Sequence, residues 1–201
     1  INSVKQSYIN ALDKSQLMSL ISVMDEIELK ELLTFLTQEY SENEWVEYKH
    51  NFHSKEEIGE RISALSNSAC LNNKAFAYLI YGVEDGTRKI IGTDFHALSK
   101  KVGNEELEIW LRMHISPRID YETIEFDYTD NLHISMYKIP AASRQPVAFN
   151  NKTYVRVNSV TKYLSNFPEK EAKIWRNNPN QSFEERLAKD NVEKSDIFEL
   201  L

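Results

Sequence analysis

Cysteine is nearly missing from this chain: Cys70 is the single one in 201 residues. That excludes an internal disulfide framework and thiolate zinc clusters, and it suits a cytoplasmic location. Basic charge is also short. The 24 Lys and Arg stand against 31 Asp and Glu, a formal net charge of -7, so bulk charge gives nucleic-acid binding no support and leaves only a local basic groove to provide it. No apolar run approaches the roughly 20 residues of a membrane span, so no membrane partner is expected. There is no GxxxxGK[ST], no GxGxxG, no HExxH and no zinc-finger spacing, which withdraws support for a phosphate loop, a dinucleotide fold and the common zinc sites. Glycine and proline number five each, and Gly82, Gly86 and Gly92 fall where turns need conformational tolerance. The start at Ile1 lacks an initiator methionine and the end at Leu201 resembles a helix cut short, so a fragment of a longer protein is expected.

What is present is globular: 41% hydrophobic residues, with ten Tyr, nine Phe and three Trp. Residues 13–38 carry a helical stripe of Leu17, Leu20, Ile21, Met24, Ile27, Leu32, Phe35 and Leu36, either a cover for the main domain or a partner-binding helix. Residues 45–50 read as a strand with Glu47 and Lys49 on one face and Val46 and Tyr48 on the other. Ser54 and Glu57 form a capping box opening a helix through Ile58, Ile62, Leu65 and Cys70, which makes Cys70 a core residue.

Residues 75–83 are the most apolar stretch and read as a central strand. A Glu84-Asp85-Gly86-Thr87 turn follows, with a short antiparallel return over 88–92. Residues 94–114 read as mainly helical with a break at Gly103, 121–127 and 132–139 as strands, and 146–149 with 153–157 as a hairpin. Helical periodicity resumes after Thr161, with Pro168 at a helix start and a further short helix at Phe183–Leu187 beyond a linker. Trp110 and Trp175 are expected to pack, and the five histidines read as scattered surface residues. The expected fold is α/β of the α+β kind: a mixed, largely antiparallel sheet with packed helices, flanked by N- and C-terminal helices. Its parts are a helical segment over 1–40, a body over 41–165 and a helical tail over 166–201.

The carboxylates Glu42, Glu47 and Asp85 stand near strand or turn ends, and hard divalent ions take oxygen ligands of this kind. A cation held there would activate water and neutralise a phosphodiester, with Lys49 at the scissile phosphate. Acidic residues near strand ends are also ordinary surface. Arg156, inside an apolar strand, is either a salt bridge holding the sheet or a phosphate contact alongside Lys49, Arg88, Lys89 and Lys152. Trp45, Tyr48 and Tyr154 are candidates for base stacking, with core packing the competing role.

The order of short elements carries a resemblance. Glu42 and Glu47-Tyr48-Lys49 come first, then Ile62-Ser63-Ala64-Leu65-Ser66-Asn67, then Tyr81-Gly82-Val83-Glu84-Asp85 with Ile91-Gly92. Ile139-Pro140, Pro146-Val147 and Tyr154-Val155-Arg156-Val157-Asn158-Ser159 close it. This set resembles the AlbA-like domain of the Schlafen family, in the bacterial single-copy form, over residues 41–165. The resemblance implies a divalent-metal-dependent endoribonuclease acting on transfer RNA or other structured RNA in defence or stress. Its acidic triad falls on Glu42, Glu47 and Asp85, with Mg²⁺ or Mn²⁺ as cofactor and RNA or DNA as partner. Relatives labelled transcriptional regulators imply a non-catalytic nucleic-acid-binding alternative, and the 13–38 helix a protein-interaction one. Two departures stand out: Asn67 is followed by Ser68-Ala69-Cys70 instead of the family's glycine pair, and only one lobe is present, which a homodimer would complete. On this reading alanine at Glu47 or Asp85 abolishes cleavage and leaves the fold intact.

Overall fold

The computed structural model of the chain describes residues 14–177, with side chains from residue 26 onward. The first helix, α1, spans Lys14–Glu39 without a break. Strand β1 (Val46–Lys49) follows, then helix α2 (Lys55–Leu71) and strand β2 (Phe76–Tyr81). Next come a two-residue hairpin of β3 (Lys101–Val102) and β4 (Glu105–Glu106), helix α3 (Leu107–His114) and β5 (Ile115–Ser116). The long antiparallel pair is β6 (Glu122–Asp127) and β7 (His133–Pro140). Strands β8 (Ala148–Phe149), β9 (Lys152–Val157) and β10 (Val160–Tyr163) lead to helix α4 (Pro168–Arg176). The linker and short helix expected after residue 177 lie outside the described residues.

The fold is α+β with mostly antiparallel strands, as the sequence implies. The main sheet has the order β1-β2-β7-β6, with β1 and β2 parallel and the other pairs antiparallel. A second, antiparallel sheet runs β10-β9-β8-β5. Strand alternation divides the core in two. Val46, Tyr48, Ile80, Ile134 and Met136 face α1, where they meet Leu33 and Leu36. Leu79, Tyr81, Tyr137 and Ile139 face α2, where they meet Ile58, Ile62 and Leu65. The Tyr48 hydroxyl fixes the first contact by donating to the carbonyls of Leu36 (2.7 Å) and Tyr40 (3.0 Å) at the end of α1. The inward stripe of α1 is Leu29, Leu32, Leu33 and Leu36, while Ile27 and Phe35, expected in that stripe, are exposed.

Helix α2 opens with Ser54 accepting from the Glu57 N–H at 3.1 Å, as its capping sequence implies. It is polar where it meets the second sheet. The Asn67 amide donates to the carbonyls of Val147 and Tyr154 and accepts from the Val147 N–H, all at 2.8 Å. Ser63 donates to the Val147 carbonyl at 2.7 Å, and Ser68 accepts from the Arg156 N–H at 2.8 Å. These side chains serve as the edge partners that β9 and the 147 region would otherwise lack. Gly59 permits the close approach, because a Cβ there would stand 2.2 Å from the Phe149 ring.

Several expectations are corrected. Residues 94–106 are not helical. Backbone N–H groups at and just before this stretch go to distant partners: Thr93 to the His133 carbonyl, Ala97 to Ser135 Oγ and Leu98 to Glu125. Gly103 then takes a φ of 63° at the tip of the β3–β4 hairpin. The return strand over 88–92 reduces to one bridge, Val83 with Ile90. A strand, β10, occupies the place expected to be turning helical, because Asn158 adopts a φ of 56° and folds the chain back on β9. Trp175 is exposed, since its neighbour Ile174 takes the inward face of α4. Cys70 is buried, and burial pushes its thiol up from the ordinary value.

Replacing Asn67 with alanine removes three buried hydrogen bonds and strands the Val147 N–H, while the Val147 carbonyl keeps the Ser63 hydroxyl. A loss of about 3 kcal/mol is expected, read as a lower midpoint in urea denaturation with unchanged slope.

A carboxylate cluster around Lys49 as candidate functional site

The segment entering β1 builds the site. Asn43 Oδ1 accepts from the N–H groups of Trp45 and Val46 at 2.8 Å each, and this turn aims Glu42 back along the strand. Glu42 Oε1 then accepts from the Tyr48 N–H at 3.1 Å and lies 3.5 Å from Lys49 Nζ. Strand alternation sends Glu47 and Lys49 to the α2 side of the sheet, where Lys49 Nζ is 3.1 Å from Glu47 Oε1. Asp85 arrives from the turn after β2, with Oδ2 at 3.7 Å from the same nitrogen. The structure therefore gathers Glu42, Glu47 and Asp85 on one ammonium.

Their environments differ. The Glu47 side chain is 3% exposed and that of Asp85 62%. Glu47 also accepts from Arg61 Nε at 2.8 Å and pairs with the Arg156 guanidinium. Arg61 in turn pairs with Glu57 on its own helix. Burial would raise the Glu57 carboxyl, but the Arg61 hydrogen bond and charge outweigh it and leave the group below its ordinary value. Arg156 is 1% exposed. It reaches the Asn43 carbonyl and the Thr161 hydroxyl at 3.4 Å each. Burial lowers this guanidinium to about 10, against the Glu42 and Glu44 carboxylates, so it stays charged at neutral pH.

Of the other basic residues, Arg88 and Lys89 share the Asp85 turn. Arg88 donates to the Gln38 carbonyl at 3.2 Å, and Lys89 is exposed. Lys152 lies apart, in the β8–β9 hairpin over the Tyr163 ring. Tyr48 is fully buried and Tyr154 nearly so, and Trp45 packs against both core clusters, so packing accounts for all three aromatics. Arg61 was not visible as a site residue. Its one signal was the four-residue spacing from Glu57 on a helix face. The histidines are less scattered than they read, since His96 and His133 meet.

A mixed α+β domain with charged residues gathered beside its parallel strand pair is the class of protein seen here. A family model described as "Schlafen, AlbA_2" matches residues 42–165, more than half of the chain. The chain belongs to that family, and membership carries a nucleic-acid-related role. No curated protein matches the chain. Among solved structures, the crystal structure of the DIP2311 protein from Corynebacterium diphtheriae is similar at 13% identity and a TM-score of 0.42. The match covers 70% of this chain and 30% of that one. Among the described residues no helix is long and apolar enough to cross a membrane.

A divalent cation fits this donor set in one respect. All three carboxylates already turn an oxygen toward one positive centre. Asp85 is exposed and free to turn toward an ion, Glu42 has one oxygen tied to the Tyr48 N–H, and Glu47 has one oxygen on Arg61 and the other on Arg156.

The burial contrast separates two substitutions. Glu47→Ala leaves Arg156 buried without its carboxylate and is expected to cost about 3–5 kcal/mol, whereas Asp85→Asn is expected to stay within about 0.5 kcal/mol. Thermal denaturation of both variants checks this. The buried pairing of Glu47 with Arg156 speaks against alanine at Glu47 sparing the fold.

Proposed function

We propose that this domain processes nucleic acid as a divalent-metal-dependent endoribonuclease, with transfer RNA or another structured RNA as substrate. The observation that carries the reading is the convergence of Glu42, Glu47 and Asp85 on Lys49 within a Schlafen AlbA_2 domain. Glu42 and Asp85 would hold Mg²⁺ or Mn²⁺, with Glu47 as the fixed third carboxylate. A bound cation supplies charge neutralisation at the phosphodiester and a more acidic water. Lys49 turns its ammonium from the carboxylates to a phosphate oxygen as the strand enters. Arg88 and Lys89, on the Asp85 turn, hold the backbone on either side by salt-dependent contacts. Lys152 extends that track only if the substrate reaches the second sheet. Arg156 acts from within by holding Glu47, because its guanidinium meets no solvent. A second copy of the chain would supply the other wall of the cleft, and a cytoplasmic location gives access to RNA.

One observation favours a second reading, a non-catalytic nucleic-acid-binding regulator. Glu47 is already matched by three cations, Lys49, Arg61 and Arg156, so part of the cluster is structural. The third reading, a protein-interaction module built on α1, is weaker over the described residues, because the helix buries Leu33 and Leu36 against the sheet.

Incubation of the chain with transfer RNA in Mn²⁺ or in chelator distinguishes these. Cleavage that needs the metal and falls about 100-fold or more in Asp85→Asn is expected. Salt-sensitive binding without product supports the regulator. Cleavage indifferent to Asp85→Asn contradicts the site assignment.

A further inference from the structure

A second group of side chains lies at the same end of the main sheet. Ligand atoms of His96, Glu125 and His133 can be chosen so that all lie within 4.8 Å of one another. Glu125 on β6 and His133 at the start of β7 come from paired strands, where Glu125 stands opposite Ser135 and Asp127 opposite His133. His96 is carried by the loop before β3, and its ring lies 4.1 Å from that of His133, centroid to centroid.

Three features favour a ligand over a chance meeting of surface groups. First, the Asp127 carboxylate lies 3.1 Å from His133 Nδ1. An ionised carboxylate only accepts, so Nδ1 carries a proton, and in the neutral imidazole Nε2 presents its lone pair. Metal-binding histidines are oriented by this carboxylate–imidazole contact. Second, His133 Nε2 is shielded from solvent, and no group among the described residues hydrogen-bonds to it. Third, the loop is pinned on both sides of His96. Thr93 donates its N–H to the His133 carbonyl at 2.9 Å. Ala97 donates to Ser135 Oγ at 3.2 Å, and Ser135 donates to Glu125 Oε1 at 2.9 Å. Leu98 donates to the same Glu125 oxygen at 3.0 Å. Glu125 thus has one oxygen committed to the loop and the other free to ligate.

We propose that His96, Glu125 and His133 form a binding site for a first-row transition-metal ion, Zn²⁺ above all, with Asp127 as the orienting residue. Two imidazoles and a carboxylate suit Zn²⁺ and disfavour Mg²⁺, which takes oxygen ligands. Three protein ligands leave a fourth position, and His96 borders an open groove of 670 Å³ lined also by Asp94, Ser99 and Lys100. Gly82 separates this site from the Lys49 cluster. Its N–H donates to the Lys49 carbonyl at 2.8 Å, and a Cβ on it would stand 2.9 Å from the His133 carbonyl oxygen. A metal bound here would tie the loop to the sheet beside the Lys49 cluster without using that cluster's carboxylates.

Titration of the metal-free chain with Zn²⁺ alone, against a chromophoric chelator, tests this. One equivalent is expected to bind and to persist in excess Mg²⁺. Asp127→Asn is expected to weaken binding about 10–100-fold, and His96→Ala, at an exposed side chain, to weaken it more. Asp85→Asn is expected to leave it unchanged. Co²⁺ in place of Zn²⁺ is expected to give the visible absorption of a four-coordinate site, lost in His96→Ala. Failure to bind one equivalent, displacement by Mg²⁺, or equal affinity in His96→Ala overturns the proposal, and none of these outcomes bears on the Lys49 cluster.

Discussion

The buried pair of Glu47 and Arg156 is the contact on which the rest of the structure depends. Glu47 belongs to β1 of the main sheet and Arg156 to β9 of the second, and both side chains are at most 3% exposed. Neither charge has water to turn to, so each requires the other. Arg61 brings α2 to the same carboxylate, and Asn43 and Thr161 bring the entry turn and β10 to the same guanidinium. Two sheets, a helix and a turn are registered against one another by a single pair of ions.

That arrangement gives the candidate site its asymmetry. Of the three carboxylates facing Lys49, Glu47 is fixed by the fold and Asp85 is exposed on a turn. Asp85 is the carboxylate with room to move, Glu42 is tied by one oxygen to the Tyr48 N–H, and Glu47 is held by Arg61 and Arg156. Lys49 is held by three carboxylates, Glu42, Glu47 and Asp85. On the proposed reading, an acidic chain handles nucleic acid through local cations. Those proposed cations, Arg88 and Lys89, sit on the turn beside Asp85 and do not depend on net charge.

Local signals were legible in the sequence. The alternation in Val46–Lys49, the Ser54 cap, the Asp85-Gly86 turn and the hairpin after residue 146 each lie within a few residues of what they determine, and each is found. Interactions spanning long separations were not legible. Asn67 meets Val147 across 80 residues, and nothing in the helix marks it as the clamp on a second sheet. The 94–106 loop has helix-compatible composition, but distant side chains take its N–H groups. His96, Glu125 and His133 are unremarkable in spacing until β6 and β7 pair. Arg156 was visible as an anomaly, a charge in an apolar strand, and its two roles were separable only once its burial was known. The grouping of Glu42, Glu47 and Asp85 came from the family's order of motifs, since spacing alone allowed it without requiring it.

The central claim is that Glu47 and Arg156 act as one unit. A double-mutant cycle in urea denaturation, using Glu47→Gln, Arg156→Gln and the double variant, measures this most directly. Each single substitution leaves a buried charge alone, and the double removes both, so a coupling of about 2–3 kcal/mol is expected. Single effects that add to within about 0.5 kcal/mol would contradict the account.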